Sequence, residues 1–194
     1  MIFSKKDLRD YINHDRKVNG HDKNLSLKGW IKELLFPDLI WAYIKTLRKL
    51  EYFTNCPNIL NRIQWIYTKY KYRKLSVKLG FSIPINVCDS GLSLPHYGTI
   101  VISNHAKIGK NCRIHAGVNI GANAGKMQAA TIGDNVYIGP GVIIIGDINI
   151  PSFTTIGANA TVTKNFYEEF TVIVGTPAVM LKKDYPDWTK LILK

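Results

Sequence analysis

Residues 102–162 read ISNHAKIGKNCRIHAGVNIGANAGKMQAATIGDNVYIGPGVIIIGDINIPSFTTIGANATV, and an aliphatic residue returns at every sixth position. Ile102, Ile108, Ile114, Ile120, Ile132, Ile138, Ile144, Ile150, Ile156 and Val162 keep this period, and Lys126 alone departs from it. Four residues after each step stands a small or β-branched residue: Ala106, Cys112, Val118, Ala124, Ala130, Val136, Val142, Ile148, Thr154 and Ala160. An amphipathic helix repeats near 3.6 and a half-buried strand at two. A fixed short period held over this length belongs to a solenoid.

The physical reading is a triangular prism. Each six-residue step supplies one short strand and one turn, and three steps close a coil. The aliphatic residue points inward and stacks on its counterpart three steps later, as Ile102, Ile120, Ile138 and Ile156 would. The small residue fits the tight corner, and Gly109, Asn111, Asn135 and Asn159 suit turns with unusual backbone angles. Around Lys126 the text is GANAGKMQAATIG, and the phase survives across it. Either Lys126 fills an inward site, or a short loop leaves the coil and returns in register. Loops on regular scaffolds are frequent places for ligand contacts.

Outside the repeat the composition changes near Gly80. Residues 1–80 carry 17 Lys+Arg against 7 Asp+Glu, a balance of +10 within a total of +12. Such a surface attracts polyanions: nucleic acid, an acidic membrane face, or an anionic glycan. No nucleic-acid motif accompanies the charge. Leu34, Phe36, Ile40, Trp41, Ile44, Leu47 and Leu50, then Leu60, Ile63, Ile66, Tyr67 and Tyr70, recur at helical spacing. Together with the aromatic Trp30, they predict two or three amphipathic helices. Pro37 is expected in the first turn of one helix, and Asn55-Cys-Pro-Asn is a break before the next. The division expected is a basic helical segment (1–80), a β-prism (81–183) and a tail (184–194). No apolar run reaches bilayer length, and the charged N-terminus does not resemble a signal peptide, which predicts a cytoplasmic protein. Cys56, Cys88 and Cys112 lack CxxC spacing, so neither a disulfide framework nor a zinc site is implied.

The segment GLSLPHYGTIVISNHAKIGKNCRIHAGVNIG resembles the catalytic coil of the serine acetyltransferase-like branch of hexapeptide-repeat acyltransferases. IGANATVTKN and GTPAVMLKK are similar to the wider family, which includes galactoside acetyltransferases. The resemblance covers about residues 80–183. It implies a mainly β fold, a left-handed parallel β-helix with the N-terminal α-helical segment appended. It also implies an acetyl-CoA-dependent O-acetyltransferase that works as a homotrimer. The catalytic base falls on His96, and the coenzyme A positions on Ala158, Thr163, Lys164 and Lys182.

The chemistry is consistent with those residues. An alcohol needs a base to become a nucleophile, and imidazole titrates near neutrality. Backbone N–H groups at Gly98 or in the GANAG loop would receive the oxyanion, and the lysines would face the nucleotide phosphates. No metal is required. Among the other histidines, His14 and His21 read as solvated surface residues, His105 as a turn residue and His115 as a contact in the groove. A carbonic-anhydrase-like zinc site would need three histidines, and the repeats hold no spaced trio.

Two positions depart from true serine acetyltransferases. Their DIHP-like step is FSIP here, residues 81–84, without the Asp. Their loop histidine is missing from KMQAAT. Asp89, seven residues before His96, is the candidate replacement for the carboxylate. These absences, with the basic aromatic N-terminal part, point to a sugar hydroxyl in a polysaccharide, capsule or lipid-linked glycan as acceptor. Peripheral contact with the inner membrane face would accompany such an acceptor. Serine O-acetylation for cysteine biosynthesis is the alternative, and a non-catalytic hexapeptide-repeat scaffold is the third reading.

Overall fold

In the computed structural model, residues 1–21 and 35–192 are described; Trp30 and Leu34 lie outside them. The period of six becomes three parallel sheets, one per face of a prism. The first face runs β1 (Phe81–Ser82), β2 (Ile100–Ile102), β5 (Asn119–Gly121), β8 (Ile143–Ile145) and β11 (Thr161–Val162). The second face holds β3 (Lys107–Ile108), β6 (Thr131–Ile132) and β9 (Asn149–Ile150). The third holds β4 (Arg113–Ile114), β7 (Tyr137–Ile138), β10 (Thr155–Ile156) and β12 (Val172–Val174), and ends on the antiparallel β13 (Val179–Lys182). Nine of the ten small residues are buried in the prism; the exception, Ala124, is exposed. The corner residues Asn111, Asn135 and Asn159 all adopt left-handed backbone, with φ of 53°, 57° and 58°. Asn111 Nδ2 also donates to Asn135 Oδ1 across adjacent coils at 2.9 Å.

The stacking order departs from the simple expectation at one coil. Ile102 pairs with Ile120 and Ile138 with Ile156, eighteen residues apart in each case. Ile120, however, pairs with Ile144, and Ile114 with Ile138, twenty-four apart. The additional six residues form an exposed loop, residues 123–128, between the first and second faces. Lys126 is therefore outside the prism. An insertion one full repeat long leaves the phase untouched, which is why periodicity by itself did not distinguish the two readings of Lys126.

Three helices cover the open first coil. Helix α1 (Lys5–Val18) begins at Ser4, whose hydroxyl accepts from the Asp7 N–H. Helix α2 (Leu39–Asn55) is capped by Asp38, so Pro37 stands before the cap and not in the first turn. It ends at the expected break, and Trp41, Ile44, Leu47 and Leu50 are buried on its inner face. Helix α3 (Arg62–Leu79) reverses the expected polarity. Ile63, Ile66, Tyr67 and Tyr70 are more than half exposed, while Thr68, Leu75 and Leu79 are buried. The contact with α2 and the prism end selects the face that carries Leu75 and Leu79. Tyr43 packs edge-on against Phe81, and the Tyr72 hydroxyl donates to the Ile83 carbonyl. The first coil's free edge is thereby shielded. A short C-terminal helix, α4 (Trp188–Ile192), is anchored by Trp188 Nε1 donating to the Asn111 carbonyl at 2.9 Å. No described helix is long and apolar enough to cross a membrane.

Candidate active site

The segment leading to His96 is held by a buried ionic cluster. Arg48, Asp15 and Glu51 are 0%, 0% and 2% exposed. Arg48 Nε meets Asp15 Oδ2 at 2.7 Å, and its Nη1 meets Glu51 Oε2 at 3.0 Å. The remaining guanidinium protons go to the carbonyls of Cys88 (2.7 Å) and Asp89 (2.6 Å) and to Asp15 Oδ1 (3.3 Å). Asp15 Oδ1 in turn accepts from the N–H groups of Gly91 (2.7 Å) and Leu92 (2.9 Å). Gly91 has φ of +83°, and a Cβ there would lie 2.4 Å from Asn111 Oδ1, so the backbone can approach the next coil only without a side chain. Asn19 Nδ2 adds a bond to the Leu92 carbonyl at 2.8 Å. Helices α1 and α2 thus fix the segment that delivers His96.

His96 is exposed at the corner between the third face and the first. Its ring lies 5.8 Å from that of His115, which lies 4.9 Å from Tyr137. His115 Nε2 is buried without a hydrogen-bond partner. Burial first, then the charges of Arg113 and His96, push the His115 pKa down to about 4. That ring is neutral at physiological pH. Below it a cleft of about 430 Å³ separates the prism from α1 and α2, and His96, Arg113, Ser93, Trp41 and His21 line it. His21 stacks on Trp41 with centroids 5.0 Å apart, and its Nε2 lies 3.3 Å from Asp38 Oδ2. His14 Nδ1 lies 3.0 Å from Ser90 Oγ. Neither histidine is the solvated surface residue expected from the polar N-terminal text.

No family model matches the chain. A serine acetyltransferase of Buchnera aphidicola subsp. Schizaphis graminum is 31% identical over 181 residues, covering 89% of this chain and 68% of that protein. The serine acetyltransferase of Mycobacterium tuberculosis is 32% identical over 105 residues, or 53% of this chain and 45% of its own length. The chain belongs to the serine acetyltransferase family. That family is one of acetyl-CoA-dependent acyltransferases. Among solved structures, serine acetyltransferase from Brucella abortus in complex with coenzyme A superposes with a TM-score of 0.66 at 21% identity. The match covers 94% of this chain and 70% of that one, and the shared fold is the left-handed β-helix. The expected likeness to capsule and exopolysaccharide acetyltransferases is not shown by these comparisons, which favour the serine alternative.

Within this family frame, the other expected positions scatter. Ala158, Thr163, Lys164 and Lys182 are all exposed near the far end of the prism. Lys164 Nζ lies 5.7 Å from the Phe166 ring centre, and Lys182 Nζ lies 5.4 Å from that of Tyr185. His96 belongs to the first coil and Lys164 to the last, so several strand spacings of roughly 4.8 Å separate them. An extended ligand could span that distance. Asp89 is not brought to His96. It is at the other end of the same edge, where its carboxylate accepts from Ser90 N–H at 2.6 Å and interacts with Tyr11. Burial raises its pKa, but those hydrogen bonds outweigh it and leave the carboxyl below its ordinary value. Asp89 follows the bridge Cys88–Ile108 on the second face, whereas His96 follows Ser93–Arg113 on the third. Gly98 also drops out as an oxyanion donor, because its N–H is donated to the Leu79 carbonyl at 3.0 Å. His105 is exposed in a turn, and no group able to hold a metal exists among the described residues. Sequence reasoning missed Arg113 and Trp41 as cleft residues. The only available signal was Arg113's outward position immediately before an inward Ile.

Proposed function

We propose that this protein moves the acetyl group of acetyl-CoA to a hydroxyl, with His96 as general base and L-serine as the acceptor favoured by family membership. The observation that carries the reading is His96 at the mouth of a cleft braced by the buried Arg48 cluster. His96 would take the hydroxyl proton as the oxygen attacks the thioester carbon. The tetrahedral intermediate then collapses, the C–S bond breaks, and the imidazolium returns the proton to the departing thiolate. The neutral His115 ring beside it would add no competing charge. Lys164 and Lys182 would face the nucleotide phosphates of coenzyme A.

A sugar acceptor is the second reading. It is favoured by the absence of an Asp in residues 81–84 and of a His in the loop of residues 123–128. The assembly proposed is a homotrimer. The first face has outward Val101 and Ile143 at 39% and 37% exposure, and a neighbouring copy would cover them. Light scattering on the active protein tests this, and a fully active monomer would contradict it.

One assay addresses both enzyme and acceptor: free thiol followed with acetyl-CoA against serine, monosaccharides and capsular glycans. His96→Ala should lower transfer about 10²–10⁴-fold with the fold intact. Near-wild-type turnover of that variant removes the assignment. Efficient transfer to a saccharide with serine inert would put the second reading first. No transfer to any acceptor would leave the scaffold reading.

A further inference from the structure

Helix α3 carries two apolar stripes, and the fold buries one of them. Thr68, Leu75 and Leu79 cluster on the side packed against α2 and the first coil. At about 100° per residue, Ile63, Ile66, Tyr70 and Val77 fall within roughly 60° of arc on the opposite side. They are 81%, 56%, 58% and 79% exposed. A single exposed aliphatic residue is ordinary on a protein surface, but several in line form a contiguous patch, and such patches mark contact sites.

Basic residues border the stripe on both sides. Arg62, Lys69 and Arg73 follow one edge and Lys71, Lys74 and Lys78 the other, all exposed, on a helix whose sequence holds no acidic residue. Lys74 Nζ lies 5.0 Å from the Tyr70 ring centre, so charge and apolar surface adjoin directly. Beyond the second edge, Lys71 joins Lys5, Lys45 and Lys49 on the wall of a groove of about 930 Å³ between α1, α2 and α3. Tyr67 and Phe53 line the same groove.

This border discriminates among partners. A second copy of α3 laid on the stripe would bring cations against cations along both edges, which opposes pairing. An acidic polymer would satisfy the cations and leave Ile63, Ile66 and Val77 in water. A bilayer surface rich in anionic headgroups satisfies both. Its phosphates meet the bordering cations, the tyrosine sits at headgroup depth, and the aliphatic side chains enter the acyl boundary.

We infer that α3 is the contact by which this protein lies on an anionic phospholipid membrane, its axis parallel to the surface and Ile63, Ile66, Tyr70 and Val77 directed into it. The His96 cleft lies off this contact. It takes Trp41 and Ile44 from α2, whereas the basic groove takes Ala42, Lys45 and Lys49 from another side of that helix. The inference does not depend on the acyl-transfer reading.

The test is flotation of the full chain with vesicles of phosphatidylcholine alone, or of equimolar phosphatidylcholine and phosphatidylglycerol. The wild type should float with the mixed vesicles only and release as salt rises. The triple variant Lys71→Gln, Lys74→Gln, Lys78→Gln should bind roughly 100-fold more weakly, and Ile66→Ser, Tyr70→Ser, Val77→Ser roughly 10-fold. These side chains are exposed, so both variants should keep the wild-type Tm and the wild-type rate of thiol release in solution. The serine variant should also bind dextran sulfate, an anionic polymer without an acyl surface, as the wild type does. Wild-type protein that stays unbound to the mixed vesicles at low salt would overturn the inference without recourse to any variant. Full vesicle binding by the serine variant would overturn it in favour of general polyanion attraction. A lower light-scattering mass for the serine variant, with flotation unchanged, would assign the stripe to a second copy instead.

Discussion

Replacing Arg48 with Met probes the link between the helical segment and the corner that carries His96. The substitution keeps much of the aliphatic stem and removes the guanidinium. Asp15 retains the Gly91 and Leu92 N–H groups, and Glu51 retains that of Asn86 at 2.9 Å. Both carboxylates nevertheless lose their cation, and the carbonyls of Cys88 and Asp89 lose their donors. Removing one partner from a buried ion pair costs about 3–5 kcal/mol. For a chain of this size each kcal/mol lowers Tm by roughly 2–4 °C, so the expected fall is roughly 6–20 °C. The damage should be local first. Hydrogen exchange should rise in α1 and in residues 88–94 before it rises in the prism, and kcat should fall at temperatures where the prism remains intact. Adding Asp15→Asn and Glu51→Gln should recover part of the stability, because the stranded charges are then gone. A loss below about 1 kcal/mol with unchanged exchange at 88–94 would refute the view that this cluster braces the site.

Further outcomes follow from the same structure. Deleting residues 123–128 removes one whole repeat of loop, so the shortened chain should fold in register with little change in Tm; collapse on thermal denaturation would contradict the pairing of Ile120 with Ile144. His115 is depressed to about 4 in the folded protein, against an unfolded value near 6.5, so on acidification the unfolded chain takes the proton first. Its stabilising contribution is complete above pH 6.5 and is lost as pH falls toward 4; His115→Leu should flatten that part of a stability-versus-pH curve, and an unaltered curve would reject the assignment. Lys164→Ala or Lys182→Ala should raise the KM for acetyl-CoA more than it lowers kcat, whereas an unchanged KM in both would remove the phosphate role. Helix α3 carries Arg62, Lys69, Lys71, Arg73, Lys74 and Lys78 with no acidic residue, beside the exposed Ile63 and Tyr67. The protein should therefore co-sediment with anionic vesicles and release as salt rises; equal recovery with neutral vesicles would discount the charge.

The period of six determined the prism by itself. Each inward Ile meets the same local requirement as the last, and parallel pairing of identical steps needs no information from elsewhere in the chain. The resemblance of its coil to an acyltransferase family singled out His96, and the structure puts that residue on the wall of a cleft. What only the tertiary structure decided depends on contacts between segments far apart in sequence. Lys126 lies outside the prism in an insertion one repeat long, which phase cannot register. Helix α3 turned Leu75 and Leu79 inward, and not Ile63, Ile66, Tyr67 and Tyr70, because that face meets α2 and the first coil. Asp89 and His96, seven residues apart, went to opposite ends of one prism face because a six-residue step turns the chain onto a new face. The Arg48 cluster joins residues 15, 48 and 51 to residues 88–92, and the cleft joins Arg113 to Trp41 and His21. Charge pairing across such separations has no period, so a one-dimensional reading registered Asp15, Arg48 and Glu51 only as part of a basic N-terminal segment.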